Sequence, residues 1–163
     1  MLTGRRVFIT GASGTVGSAV REAFEEQGAS VFGVDSKTGE LVTHCDITSE
    51  SSIRIAFKNA QLGGAVTDVV HAAGVVSCGP VADLSLDEFE RIIQVNLIGS
   101  FLVAREAIRN IEQPGSITFI SSQAGIKSGA YWSAYSASKA GVLRLSEALA
   151  QEVGSRLIRV NAV

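Results

Sequence analysis

A chain of 163 residues, 46% apolar and 18% charged, is long enough to bury a full core and too apolar to stay disordered. Its net charge of −2, with no basic run longer than Arg5-Arg6, argues against nucleic acid or an anionic membrane surface as a partner. Cys45 and Cys78 lie far apart and in no metal-ligand spacing, so neither a disulfide scaffold nor a metal site is expected, and a reduced, cytoplasmic setting fits.

The apolar run after the arginine pair ends at Thr10-Gly11, too short for an export signal, and predicts a first strand, Val7–Thr10. Nothing approaches the length of a membrane span. Further strands are expected at Ser30–Val34, Leu41–His44, Thr67–His71, Ser116–Ser121 and Arg159–Val163, each a continuous apolar run of the kind covered on both faces. Helical patterns fall between them, at about Gly17–Gln27, Glu50–Ala60, Leu86–Asn110 and Tyr135–Val153. In the third, Phe89, Ile93, Leu97, Phe101, Ala104 and Ile108 form one apolar stripe, and Asp83 or Ser85 can cap its start. Repeated β-α-β units with right-handed crossovers predict an α/β fold, a Rossmann-type doubly wound parallel sheet, in a single domain covering residues 1–163.

Gly11, Gly14 and Gly17 follow the first strand and open the first helix. That context lets backbone approach a pyrophosphate, whose charge then meets the free N–H groups of the helix start. Asp35 ends the second strand eighteen residues beyond Gly17, the place of a ribose-binding acid. A carboxylate there accepts from both ribose hydroxyls and repels a 2′-phosphate, and Lys37 is the one cation nearby, so NAD is expected over NADP. Asp46 has two readings: it accepts from the adenine amino group, or it caps the helix that follows.

Tyr135 and Lys139 sit four apart in a helical segment, which places both side chains on one face. An ammonium beside a phenol favours its ionised form and makes the tyrosine a usable proton donor and acceptor. Ser122 lies thirteen residues upstream of Tyr135, at the end of an apolar strand-like run.

These segments together resemble the short-chain dehydrogenase/reductase family, in its short-subunit branch, from Thr10 to the last residue. The carrying motifs are Thr10-Gly11-Ala12-Ser13-Gly14-Thr15-Val16-Gly17, His71-Ala72-Ala73-Gly74, Asn96-Leu97-Ile98-Gly99, Ile120-Ser121-Ser122, Tyr135 to Lys139, and Arg159-Val160-Asn161-Ala162-Val163. The resemblance implies an NAD-dependent enzyme interconverting a secondary alcohol and a ketone, with a catalytic tetrad of Asn96, Ser122, Tyr135 and Lys139. Tyr135 would exchange the proton of the substrate oxygen and Ser122 would hydrogen-bond that oxygen. Lys139 would hold the nicotinamide ribose, and Asn96 a water leading to solvent. The same resemblance places the cofactor against Gly11, Ser13, Gly14, Thr15, Val16, Gly17, Asp35, Asp46, Ile47, Ala72, Ala73, Gly74, Tyr135 and Lys139. Taken singly, each tetrad residue also has a plain structural role: Ser122 as a loop cap, Asn96 as a satisfied buried amide, Tyr135 as a core ring.

Three departures bear on function. The Gly-x-x-Gly-x-x-Gly spacing resembles the family's sugar-nucleotide branch, which keeps an epimerase or dehydratase as an alternative. His71 stands where the motif has its first asparagine, and strand-end hydrogen bonding is its expected role. The chain ends at Val163, inside the sixth strand, whereas the short-subunit branch continues through a substrate loop and a seventh strand; a nucleotide-binding domain without turnover is therefore a further alternative. Tyr131 and Trp132 either line the substrate side, hinting at an apolar or ring-bearing substrate, or pack structurally. The apolar content of the Leu86–Asn110 and Tyr135–Val153 helices, with the family resemblance, points to a homodimer or homotetramer.

Overall fold

The computed structural model describes residues 1–39 and 41–163. Six parallel strands form one sheet: β1 Arg6–Thr10, β2 Ser30–Asp35, β3 Val42–His44, β4 Asp68–His71, β5 Gly115–Phe119 and β6 Ile158–Ala162. Their order is β3-β2-β1-β4-β5-β6, the Rossmann-type winding expected from the sequence. The chain runs outward from β1 to β3, returns to lay β4 beside β1, and continues outward to β6. Loops therefore part between β1 and β4, opening a crevice at the carboxyl ends of those strands.

Five helices cover the sheet: α1 Thr15–Glu26, α2 Glu50–Gln61, α3 Leu86–Ile93, α4 Gly99–Asn110 and α5 Ser133–Val153. One face carries the larger core, where Phe8, Ile117, Phe119 and Ile158 meet Phe57 of α2, Val103 of α4 and Val142 of α5. Phe8 and Phe57 stack with ring centroids 4.1 Å apart. The other face has a smaller core, Val7, Ile9, Ala12 and Val70 beneath Val20 and Phe24 of α1. Covered on both sides, β1 and β4 are buried nearly throughout; β3 and β6, at the edges, are partly exposed, so the expectation of two-sided cover fails there.

The expected single helix Leu86–Asn110 is interrupted. Ser85 caps α3 by accepting from the Glu88 N–H, leaving Asp83 to a turn on Pro80. A π turn at Gln94–Ile98 then separates α3 from α4. The added residue rotates Asn96 inward, where long-range partners hold it, and the Asn96 carbonyl accepts from Ser100 Oγ at 2.5 Å. The boundaries of β3 and β5 also move: Leu41 lies outside β3, and β5 stops at Phe119, leaving Ile120 and Ser121 in the loop above it.

Candidate active site

The carboxyl ends of β1, β2, β3 and β4 deliver the cofactor candidates to one cavity of about 420 Å³. Gly11, Ser13 and Gly14 form one wall and Ala72, Ala73 and Gly74 the facing one, with Asp35, Asp46 and Ile47 also lining the cavity. Gly11 has φ +68°, and a Cβ there would lie 2.5 Å from Ala73 N, so only glycine lets the two walls meet at the crevice. Gly17 serves packing instead. A Cβ there would collide with the Gly11 carbonyl oxygen, so its absence lets α1 close against the turn. Thr15, Val16 and Gly17 form the first turn of α1, directly after the Gly11–Gly14 wall. The cavity adds Ser36, Thr48, Val75 and Val95, which sequence reasoning missed. Thr48 was detectable two residues after Asp46; Val75 and Val95 carry no local signal.

Gly14 caps α1 without a side chain, so the first-turn N–H groups are left for an anion. Asp35 accepts from the Ser13 N–H at 3.1 Å and from Ser36 Oγ at 3.2 Å, fixing its carboxylate beside the glycine turn. Asp46 lies past β3 rather than ending it. Its Oδ1 accepts from the Thr48 N–H at 2.9 Å and Thr48 Oγ1 at 2.7 Å, and Ser49 caps α2. The expected helix cap is therefore Ser49 and not Asp46, which forms a side-chain turn ahead of the helix and also lines the cavity.

His71 behaves as its strand-end position suggests. Its Nδ1 pairs with Thr10 Oγ1 at 2.7 Å, tying the ends of β1 and β4 together at the crevice. Burial, with the charge of Lys139 adding to it, pushes its pKa down to about 3. His71 is therefore neutral at working pH.

The chemical candidates lie on α5 and the loop after β5. Tyr135 and Lys139 share one face of α5, with the Lys139 ammonium 5.8 Å from the Tyr135 ring centroid. Lys139 is buried and donates to the Ile120 carbonyl at 2.8 Å; burial lowers its pKa to about 8. A Cβ built on Gly74 would stand 3.6 Å from Lys139 Nζ and 3.2 Å from Asn96 Oδ1, so the lysine tip adjoins the cofactor cavity wall. Ser122 caps a short 3-10 turn, Gln123–Gly125, by accepting from the Ala124 N–H at 3.1 Å. That bond uses an acceptor lone pair and leaves the hydroxyl proton free to donate. Gly125 seats this turn on α5, since a Cβ there would fall 2.8 Å from the Lys139 carbonyl carbon.

Asn96 is a satisfied buried amide. Its Oδ1 accepts from the Val75 N–H at 2.8 Å, and its Nδ2 donates to the Val75 carbonyl at 2.9 Å and to Ser138 Oγ at 3.0 Å. Ser138, unmarked in the sequence reading, donates to the Tyr135 carbonyl at 2.7 Å. Asn96 thus clamps the loop following Gly74 to the helix turn that carries Tyr135. Trp132 rests against Tyr135 with ring centroids 5.5 Å apart, while Tyr131 is exposed.

A larger hollow of about 1080 Å³ lies over β5, β6 and the amino end of β4, where Arg5, Asp68 and Ser116 form one hydrogen-bonded cluster. It receives none of the candidate residues. Among the described residues no helix is long and apolar enough to cross a membrane, and no cluster of metal-ligating side chains occurs.

Residues 5–163 match the family model described as short chain dehydrogenase. Short-chain dehydrogenase/reductase ABA4 of Pyricularia oryzae is 33% identical, over 99% of this chain and 68% of its own length. D-threitol dehydrogenase of Mycolicibacterium smegmatis is 30% identical, over 99% of this chain and 69% of its own. The crystal structure of a short chain dehydrogenase from Mycobacterium smegmatis superposes with a TM-score of 0.93 at 27% identity, covering 99% of this chain and 75% of that one. Sheet order, crevice and sequence agree along almost the whole chain, which belongs to the short-chain dehydrogenase/reductase family of oxidoreductases.

Proposed function

We propose that this protein interconverts a secondary alcohol and a ketone with NAD as cofactor, Tyr135 being the acid and base. The observation that carries the reading is the meeting of the two halves at Gly74, which lines the cavity and where an added Cβ would stand 3.6 Å from Lys139 Nζ. The residues present suit a dinucleotide: a glycine turn with no room for side chains, uncapped first-turn N–H groups for the pyrophosphate, and the Asp35 carboxylate for the adenosine ribose. When bound, the nicotinamide supplies the hydride donor or acceptor that the side chains lack.

The chain's own groups do the rest. Tyr135 gives a proton to the ketone oxygen or takes one from the hydroxyl, and Ser122, with its proton free, donates to the same oxygen. Lys139, still a cation at neutral pH, lies 5.8 Å from the Tyr135 ring centroid and adjoins the cavity wall. Asn96 braces Val75 and Ser138, holding both halves in register. The free thiols of Cys45 and Cys78 fit a reducing, cytoplasmic compartment. Self-association is part of this reading: Leu86, Ile98 and Phe101 expose apolar surface along α3 and α4.

Titration with NADH and NADPH, followed by reduction assays over a panel of ketones, tests the proposal. NADH is expected to bind about tenfold more tightly or better, because Asp35 faces the 2′-phosphate. Equal affinities would remove Asp35 from its role. A chain that binds NADH, yet reduces no ketone and oxidises no secondary alcohol, would overturn the proposed reaction.

A further inference from the structure

Tyr131 and Leu157 are the two non-glycine residues in the left-handed backbone region among the described residues, at φ 72° and 56°. Leu157 has an ordinary reason: it follows a helical turn, Gly154–Arg156, and its N–H closes on the Gly154 carbonyl as helix ends do. Tyr131 follows no helix. Its carbonyl accepts from the Gly79 N–H at 2.9 Å, a latch joining the loop after β4 to the loop before α5. The ring is 62% exposed, so burial does not offset the strain. Glycine or asparagine would hold the same backbone at lower cost, so stability does not explain a tyrosine here.

The ring borders a hollow of about 530 Å³ between Pro80, Val81 and Ala82 on one side and Gly129 on the other. The nearby Ser128 hydroxyl is already engaged by Ser136 Oγ at 2.7 Å and by the Gly129 carbonyl. Ser133 adds one hydroxyl to walls that are otherwise apolar or backbone. Trp132, next in the chain and more buried, rests against Tyr135, the residue assigned to proton exchange, with ring centroids 5.5 Å apart. We infer that Tyr131 is a substrate-contact residue, retained at a backbone cost to select carbonyl compounds bearing an apolar ring; the inference rests on the alcohol–ketone reading above. An aromatic or alicyclic ring would lie against the tyrosine face, while a short aliphatic ketone would not reach it.

Trp132 is the sole tryptophan of the chain and reports the site directly. Its fluorescence is followed while α-tetralone or butanone is added to the NADH-loaded protein, for the wild type, Tyr131→Asn and Tyr131→Phe. Tyr131→Asn is expected to weaken α-tetralone binding about tenfold and leave butanone and NADH binding unchanged. Its Tm should be level with the wild type or about 2–4 °C higher, as strain is relieved. Tyr131→Phe should keep the α-tetralone affinity. Undiminished α-tetralone binding by Tyr131→Asn overturns the inference, as does a Tm several degrees below wild type or a wild type that binds both ketones alike. A wild type that does not take up NADH fails at the earlier step and removes the reaction itself.

Discussion

Lys139→Met is expected to make the protein more stable at neutral pH while destroying its chemistry. Helix α5 carries this ammonium into the interior, where it is 6% exposed and donates to the Ile120 carbonyl. Burial lowers its pKa from 10.5 to about 8. Between those values the unfolded chain holds more protons than the folded one, so stability rises with pH across that window and the full penalty applies below it. The shift corresponds to about 3 kcal/mol at pH 7. Methionine matches the length and removes the charge, but strands the Ile120 carbonyl, which returns about 1 kcal/mol. A net gain of about 2 kcal/mol at pH 7 follows, falling to a loss of about 1 kcal/mol near pH 10.5. Urea unfolding of both proteins from pH 7 to 10.5 measures it. Taking the difference cancels other groups, such as the Cys45 thiol, which burial pushes up to about 11. A stability gap that stays constant over this range would refute the argument and mean that Lys139 titrates as an ordinary lysine.

Tyr135→Phe should abolish turnover while NADH affinity stays nearly unchanged, as kinetics and fluorescence titration will show. Ser122→Ala should lower kcat by roughly 10²–10³-fold, as for the loss of one oxyanion donor, with about 1 kcal/mol of stability lost because Ser122 also caps its turn. Gly125→Ala drives a Cβ to within 2.8 Å of the Lys139 carbonyl carbon. The turn must move, at a cost of about 1–3 kcal/mol, and kcat should fall by about tenfold or more while NADH affinity holds. Asp68 gives an acid-sensitive contribution. Burial raises its pKa, but hydrogen bonds from Arg5, Ser116 and Thr67 outweigh this and hold the carboxyl below its usual 3.8. Its stabilisation is therefore present above that pH and lost as pH falls through the lower folded value. Asp68→Asn should cost about 2 kcal/mol at pH 7, with thermal melts converging on wild type in strong acid.

The order of strands and helices was legible in the sequence because periodicity and turn chemistry act over neighbouring residues. The helical repeat put Tyr135 and Lys139 on one face before any partner was known, and the end of β2 put Asp35 beside the glycine turn. Tertiary structure decided what those residues touch. Asn96 turns inward through a π turn that is favourable only because the backbone of Val75 and the hydroxyl of Ser138 wait there. Neither partner is near Asn96 in the chain, so no local pattern could reveal the clamp. Likewise, Val75 and Val95 reach the cavity from the loop after β4 and from the π turn after α3, and no local pattern marks them. The strain at Tyr131 was equally hidden. A tyrosine gives no sign of a positive φ, and the Gly79 N–H that its carbonyl meets arrives from another loop.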